Sequence, residues 1–482
     1  VKSAYDKRES GIIMAKNCII CESSAGSHEH VFPAALGGRR TNKKIYCVSH
    51  NNGFGRHVAQ LETQLSMFNA VLKVRPDRRD TPKPFIFSDQ VGDNLSMLGQ
   101  QIETAPPPSL NDLGFENGTR ANLKFGSMGQ FETWKADQRK NGWDVRLAAN
   151  SGEVQKRYFV GPISVQLGFG GYEALQAVGY LALTFFAQYF PAEVRGDGLE
   201  PFKKFLMLDF STEIDKTEWN ENLVWWDGRD AKDVFGENPF PFGHTVITGV
   251  SGSAKRAYAY ISFFSSLNFG VDLGPVDDAR ERMVQVFIDP KAEKAPDDLV
   301  VINSETFSIE VDPSTSDLSE MILSGSAEAA VSQFLHNVSE WHFSCFVEEI
   351  DSELSNWRTN KLTDTARFSE SLVQNYSQRV LNLLDAAGSG LKEHLKRARV
   401  PPALLKPLEN LVEVDDTQPY GISRKTNDLL ELAKNEIAMV IKNELDSREP
   451  NPERIALLLG GGPGVAVVAE NVVLPLLSDR WY

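Results

Sequence analysis

Three of the four cysteines and four of the eight histidines in this chain fall between Cys18 and His57. So dense a group of soft ligands constrains the fold more than any other feature, because a bound ion ties segments together before a large core has to form. Cys18 and Cys21 follow the pattern C-x2-C, Cys47 and His50 follow C-x2-H, and 25 residues separate the pairs. A two-residue spacer forms a tight turn that aims both side chains at one ion, and two such turns complete a tetrahedron. Thiolates with an imidazole favour zinc over magnesium or calcium. Four protein ligands fill the shell, so this zinc is expected to be structural.

Cys345 is the only cysteine outside the group. One isolated thiol beside a metal-like quartet argues against a disulfide framework and for a reducing compartment. No apolar run of the secretory kind opens the sequence, so the cytoplasm is the expected location. A hydrophobic content of 41% and a charged content of 24% are those of a globular chain, not a disordered one. Net charge is −15, yet residues 1–80 hold thirteen Lys and Arg against seven Asp and Glu. A phosphate backbone responds to the local field, so this basic front end is the part fitted to meet nucleic acid.

The expected fold class is α+β: a small zinc-stabilised module at 1–75, a mixed α/β region at 76–310 and a mainly helical region at 311–482. Residues 1–16 read as a polar arm or helix. Phe54, Val58, Leu61, Leu65, Phe68 and Leu72 lie on one face of an amphipathic helix, which Asn51 and Asn52 are placed to cap. Arg75 to Pro84 reads as a linker. Strands are expected at 85–87, 158–160, 286–288 and 299–302, and a helix at 172–190. Pro106-Pro107-Pro108 and the run from Pro239 to Gly243 mark loops. Helices are expected to break at Ala387–Ser389 and at Pro401-Pro402. Gly460–Gly464 follows the strand-like run Ile455–Leu459. It lacks the Lys-Ser/Thr of a phosphate-binding loop and reads as a tight turn. Residues 455–477 are apolar, but the glycines and Glu470 argue against a membrane span.

Between the two knuckles lies His28-Glu29-His30-Val31-Phe32-Pro33, then Leu36-Gly37-Gly38 and Asn42. Phosphodiester hydrolysis needs a base to activate water and a cation to stabilise charge on the phosphate. A histidine suits the first task, and a carboxylate with a neutral oxygen donor suits a magnesium or manganese ion. Neighbours on an extended strand point to opposite faces. Glu29 and His30 therefore need a bend or twist to serve one site, and Pro33 with Gly37-Gly38 fits an irregular loop there.

These residues carry a resemblance. Residues 17–61 resemble the HNH endonuclease family, with its ββα-metal fold: a knuckle, an acid followed by His, a hydrophobic pair and Pro, Gly-Gly, an Asn, a second knuckle and a polar third signature residue. The resemblance covers about an eighth of the chain. It departs from many members in having Asn51 at the third signature position and His50 as the last zinc ligand. The resemblance implies a metal-dependent DNA endonuclease with His30 as general base. Asn42 would orient that base or support the loop, and Glu29 and Asn51 would bind a catalytic Mg2+ or Mn2+. Arg39, Arg40, Lys43, Lys44 and Arg56 flank the site and are expected on DNA phosphates, positioning the duplex without reading it. His57, further into the helix, is expected to be solvated.

Residues 160–270 look like the region that follows the module in some larger bacterial HNH proteins. That implies anti-phage defence, with the acidic remainder as a sensor, a homo-oligomerisation platform or a surface for a defence-system partner protein. The rival reading is a non-enzymatic zinc module that binds DNA or protein.

Overall fold

The structure, a computed structural model, describes residues 17–77, 81–88, 94–147, 158, 170–209, 223–293, 299–311, 325–360, 364–415, 417–418, 420–447 and 449–478. The expected arm at 1–16 and residues 159–160 of an expected strand lie outside them. The fold is mixed α/β and about half helical. It packs as two compact units, 1–134 with 165–338 and 135–164 with 339–482.

The first unit opens with a two-stranded hairpin, β1 (Glu29–His30) against β2 (Thr41–Asn42), then α1 (Val48–Gln64) and α2 (Ser66–Leu72). The register pairs Glu29 with Asn42 and His30 with Thr41. A small antiparallel sheet follows, β3 (Phe85–Ser88), β4 (Asn94–Leu98) and β5 (Gln101–Thr104), and then α3 (Met128–Lys140). The centre of the unit is α4 (Tyr172–Tyr189), with α5 (Glu200–Met207) beyond it. Next come β6 (Val224–Trp226), α6 (Ala231–Phe235), β7 (His244–Ser251), β8 (Arg256–Phe263), β9 (Leu267–Pro275), β10 (Arg282–Ile288) and β11 (Leu299–Ser304). These six strands form one antiparallel sheet in the order β11-β10-β7-β8-β9-β6.

Helix α4 lies between this sheet and α1. That explains its composition: every residue from Ala174 to Ala187 is buried. A helix apolar on all sides has no solvent face to supply. Ala257 and Ala259 on β8 are fully buried, and such small side chains let a helix approach a sheet closely. Tyr258, Tyr260, Ile247 and Trp225 form a second cluster with Phe307, Ile309 and Val311, on the alternate positions of the strands.

The hairpin region is fastened to this core rather than tethered beside it. Phe32 inserts its ring against Phe185 of α4, 6.2 Å between centroids, and against His244 at 4.7 Å. His244 is completely buried, accepts from the Phe264 N–H at Nδ1 (3.2 Å) and donates from Nε2 to the Leu36 carbonyl (3.1 Å). Burial pushes its pKa down to about 3. The expected boundary at 75/76 therefore does not separate two bodies, because residues on both sides bury their apolar groups in one core. The expected boundary at 310/311 likewise falls inside the first unit.

The Gly37-Gly38 turn is an irregular loop, as its residues suggested. Gly37 has φ +89°, and a Cβ on Gly38 would lie 2.0 Å from the Phe32 carbonyl oxygen. Backbone cannot yield at that distance. Gly38→Ala is expected to cost about 2 kcal/mol or more, read as a lowered urea midpoint. An unchanged midpoint would refute this account of the turn.

The second unit is built from helices. The 34-residue α7 (Ser326–Thr359) enters it, followed by α8 (Thr365–Asn375), α9 (Ser377–Arg397), the short α10 (Pro402–Leu405), α11 (Arg424–Leu445), α12 (Pro452–Gly460) and α13 (Gly462–Val468). Two expectations fail here. No break occurs at Ala387–Ser389, since α9 runs through it. Gly388 is there for clearance: a Cβ would meet Leu411 at 2.4 Å. Ile455–Leu459 is helical, not strand-like, because Asn451 caps the Glu453 and Arg454 N–H groups and Pro452 occupies the first turn. Among the described residues no single helix is long and apolar enough to cross a membrane. The bent pair α12 and 462–477 passes by length and composition alone. Ile455, Leu459, Val468 and Val473 from it are buried in this unit's core.

Candidate metal centre and the adjoining histidine

The first knuckle is a tight turn. The Cys18 N–H bonds the Ser23 carbonyl at 2.8 Å, and the Ile19 N–H bonds the Ile45 carbonyl at 3.0 Å. That second bond brings the knuckle beside the segment entering α1. Cys47 is the N-cap of α1, its Sγ accepting from the His50 N–H. The helix therefore begins at Val48, and Asn51 and Asn52 lie inside it rather than capping it. The reason is that the thiol, three residues before the His50 amide, already fills the capping role.

The four ligand atoms lie within 4.8 Å of one another. His50 Nδ1 is 3.6 Å from Cys18 Sγ, 3.4 Å from Cys21 Sγ and 3.3 Å from Cys47 Sγ, and the two sulfurs of Cys21 and Cys47 are 4.0 Å apart. A tetrahedron with Zn–S and Zn–N bonds of about 2.3 and 2.0–2.1 Å has edges of roughly 3.5 to 3.8 Å. The cluster fits that figure, so these residues can hold a metal ion such as zinc.

Glu29 and His30 point apart, as an extended pair does. The Glu29 carboxyl is buried, 7% exposed, and accepts from the Tyr180 hydroxyl. Burial, against the lowering effect of that bond, raises its pKa to about 7. His30 turns the other way. Its side chain is 13% exposed, and Nε2 lies 3.1 Å from Asp77 Oδ2.

Asn42 shares the Glu29 face. Its Nδ2 donates to Gln188 at 2.5 Å and its Oδ1 accepts from the Lys44 N–H at 2.7 Å. Of the two roles expected for it, these bonds serve the loop and do not reach His30. Asn51 has a buried Oδ1 with no hydrogen-bond partner among the described residues. A buried acceptor left unpaired is unusual enough to require an explanation.

The expected basic residues divide. Arg39 bonds the Ala292 carbonyl through Nε (3.2 Å) and Nη2 (2.9 Å) and the Arg75 carbonyl at 2.9 Å, with Nη1 3.6 Å from Asp77. Arg56 donates to the carbonyls of Leu206 (3.4 Å) and Leu208 (2.9 Å) at the end of α5, where a helix leaves carbonyls unpaired and favours a cation. Both guanidinium groups are thus spent on backbone oxygens. Arg40, Lys43 and Lys44 are exposed. His28 is exposed as well.

His57 is not solvated. It is 2% exposed, stacks on Tyr180 at 5.7 Å and bonds the Leu206 carbonyl at 3.2 Å. The helix it sits on is covered by α4 on that side. Burial first, and the Arg56 charge second, push its pKa down to about 4. An unfolded histidine titrates near 6.5. The unfolded chain therefore takes the proton first, and the stability His57 contributes is complete above that value and lost as pH falls toward 4. His57→Gln should lose about 2 kcal/mol less than the wild-type protein between pH 7 and pH 5 in urea unfolding. Glu29, with its raised pKa, acts in the opposite direction in both proteins, so the difference between them is the readout. Equal losses would count against a neutral buried His57.

Sequence reasoning missed three residues on α4. Tyr180, Thr184 and Gln188 recur at intervals of four and bond Glu29, the Tyr46 hydroxyl (3.0 Å) and Asn42. Polar groups at helical spacing within an apolar helix were the available signal. It also missed Asp77, in a stretch read as linker, and Arg195, which bonds the Asn17 carbonyl at 2.9 Å. No family model, curated protein or solved structure matches this chain.

Proposed function

We propose that residues 17–77 form a ββα-metal module of the HNH type that hydrolyses phosphodiester bonds in DNA. One observation carries the reading. The zinc-fitting quartet brackets a hairpin that presents His30 and a helix that carries Asn51 with its unpaired Oδ1. A structural zinc alone suits a simple binding module. A partly exposed histidine and an orphan oxygen donor do not follow from that role.

His30 would accept the proton of the attacking water. Glu29 and Asn51 would hold a Mg2+ or Mn2+, which when bound supplies positive charge to the phosphate. The donor set fits a hard cation, being a carboxylate and an amide oxygen. Glu29 faces Tyr180 on the side of the strand opposite His30, so in this reading the carboxylate must turn from Tyr180 for ion and base to serve one phosphate. Arg40, Lys43 and Lys44 would hold the duplex by its phosphates. With Arg39 and Arg56 engaged elsewhere, the salt dependence of binding should report fewer than five released counterions. A regulatory role for the acidic remainder, and anti-phage defence as its setting, belong to the same reading. The test is nicking of supercoiled plasmid with Mg2+ or Mn2+ by wild-type protein and by His30→Ala. Equal cutting by both would sink the assignment.

A further inference from the structure

We propose that Asp77 is the positioning residue for His30: it holds Nε2–H and so leaves Nδ1 as the nitrogen that takes a proton. This rests on the nuclease reading of His30. The pair is 47 residues apart in sequence, with Nε2 and Oδ2 separated by 3.1 Å. A carboxylate accepts and cannot donate, so it selects the tautomer protonated at Nε2. Nδ1 has no hydrogen-bond partner among the described residues.

Apart from His30, Asp77 is held from two directions. Its N–H bonds the Ala34 carbonyl at 3.3 Å, which ties it to the hairpin loop. Its Oδ1 lies 3.6 Å from Arg39 Nη1, and the Arg39 side chain is only 7% exposed. Arg39 in turn is anchored on the Ala292 and Arg75 carbonyls at 2.9 Å each. The chain reaches this position because α2 ends at Lys73 in the left-handed region, φ 56°. Val74 then buries itself at 2% exposure, and its N–H bonds the Asn69 carbonyl at 2.8 Å. Residues 73–77 are thus a strap laid back across the hairpin. Carboxylate, guanidinium and backbone together fix the orientation of one imidazole, and an exposed surface pair needs no such support.

The experiment has two arms. In wild-type protein labelled with 15N-histidine, two-bond proton–nitrogen correlations give the tautomer of each ring, and loss of one set in His30→Gln assigns His30. A ring protonated at Nε2 is expected. A ring protonated at Nδ1 overturns the proposal, whatever any variant does. In plasmid cleavage, Asp77→Asn should lower kcat by about 100-fold with KM within about twofold, while Asp77→Glu recovers part of the rate. A variant that cleaves faster than wild type would overturn the proposal, because Asp77 would then be blocking His30. A change confined to KM would also overturn it. Failure of the nuclease reading is separate: it shows as undiminished cutting by His30→Ala, with the tautomer arm still reporting on the pair.

Discussion

Cys47→Ser should release the metal and loosen residues 17–50, with zinc falling from one per chain to well below stoichiometric. Structural zinc sites hold their ion with about 10–16 kcal/mol, and a hydroxyl does not replace a thiolate on zinc at neutral pH. The same substitution weakens the start of α1, where the Cys47 Sγ caps the His50 N–H. Among the described residues the first knuckle is otherwise held by the Cys18, Ile19, Gly26 and Ser27 amides, the Asn17–Ser24 bridge and the Arg195 contact to Asn17. The rest of the hairpin region has a second source of stability. Phe32, Leu36, Tyr46 and Phe54 are each no more than 3% exposed. The expected result is therefore local loosening, with early proteolytic cleavage between 17 and 28 and a lower melting temperature. Metal analysis, limited proteolysis and thermal unfolding read it. Full zinc content with unchanged protease resistance would exclude the quartet as a metal site.

His30→Ala should reduce plasmid cleavage by about 10²- to 10⁴-fold, the contribution of a positioned general base. Zinc content should not change, because His30 is outside the quartet and its ring bonds Asp77 instead. The fold should hold as well, since the side chain is partly exposed and Phe32, not His30, fills the core beside it. That separation gives the comparison its force. Loss of activity with metal and stability intact assigns a chemical role, while loss of all three would mean a structural one. Undiminished cleavage with intact metal would remove His30 from the chemistry, whereas a wild-type protein that binds DNA without cutting it would favour the non-enzymatic binding module.

The legible and illegible parts of this site differ in the range of the forces involved. The quartet was readable because each half is local: two residues between ligands make a turn whatever surrounds it. Helical periodicity from Phe54 and the need for glycine at Gly37-Gly38 were also readable, although the single helix expected through Leu72 is broken at Leu65 into α1 and α2. The environments of Glu29, Asn42, Arg56 and His57 were not. Each is set by α4 or α5, more than a hundred residues away along the chain. His57 looks like a surface residue until α4 covers that side of α1. Arg56 looks free for phosphate until the end of α5 presents unpaired carbonyls to it.

By itself, the amino-acid sequence determined that residues 18–50 can close around one metal ion, that a helix follows the second knuckle, and that another lies near 172–190. Tertiary structure alone decided that Glu29 faces a tyrosine in the interior while His30 faces Asp77, and that Arg39 supports that aspartate. The physical reason is that ligand spacing and helical periodicity are encoded in neighbouring residues. The partner of a buried polar group is chosen by whichever distant segment packing brings to it.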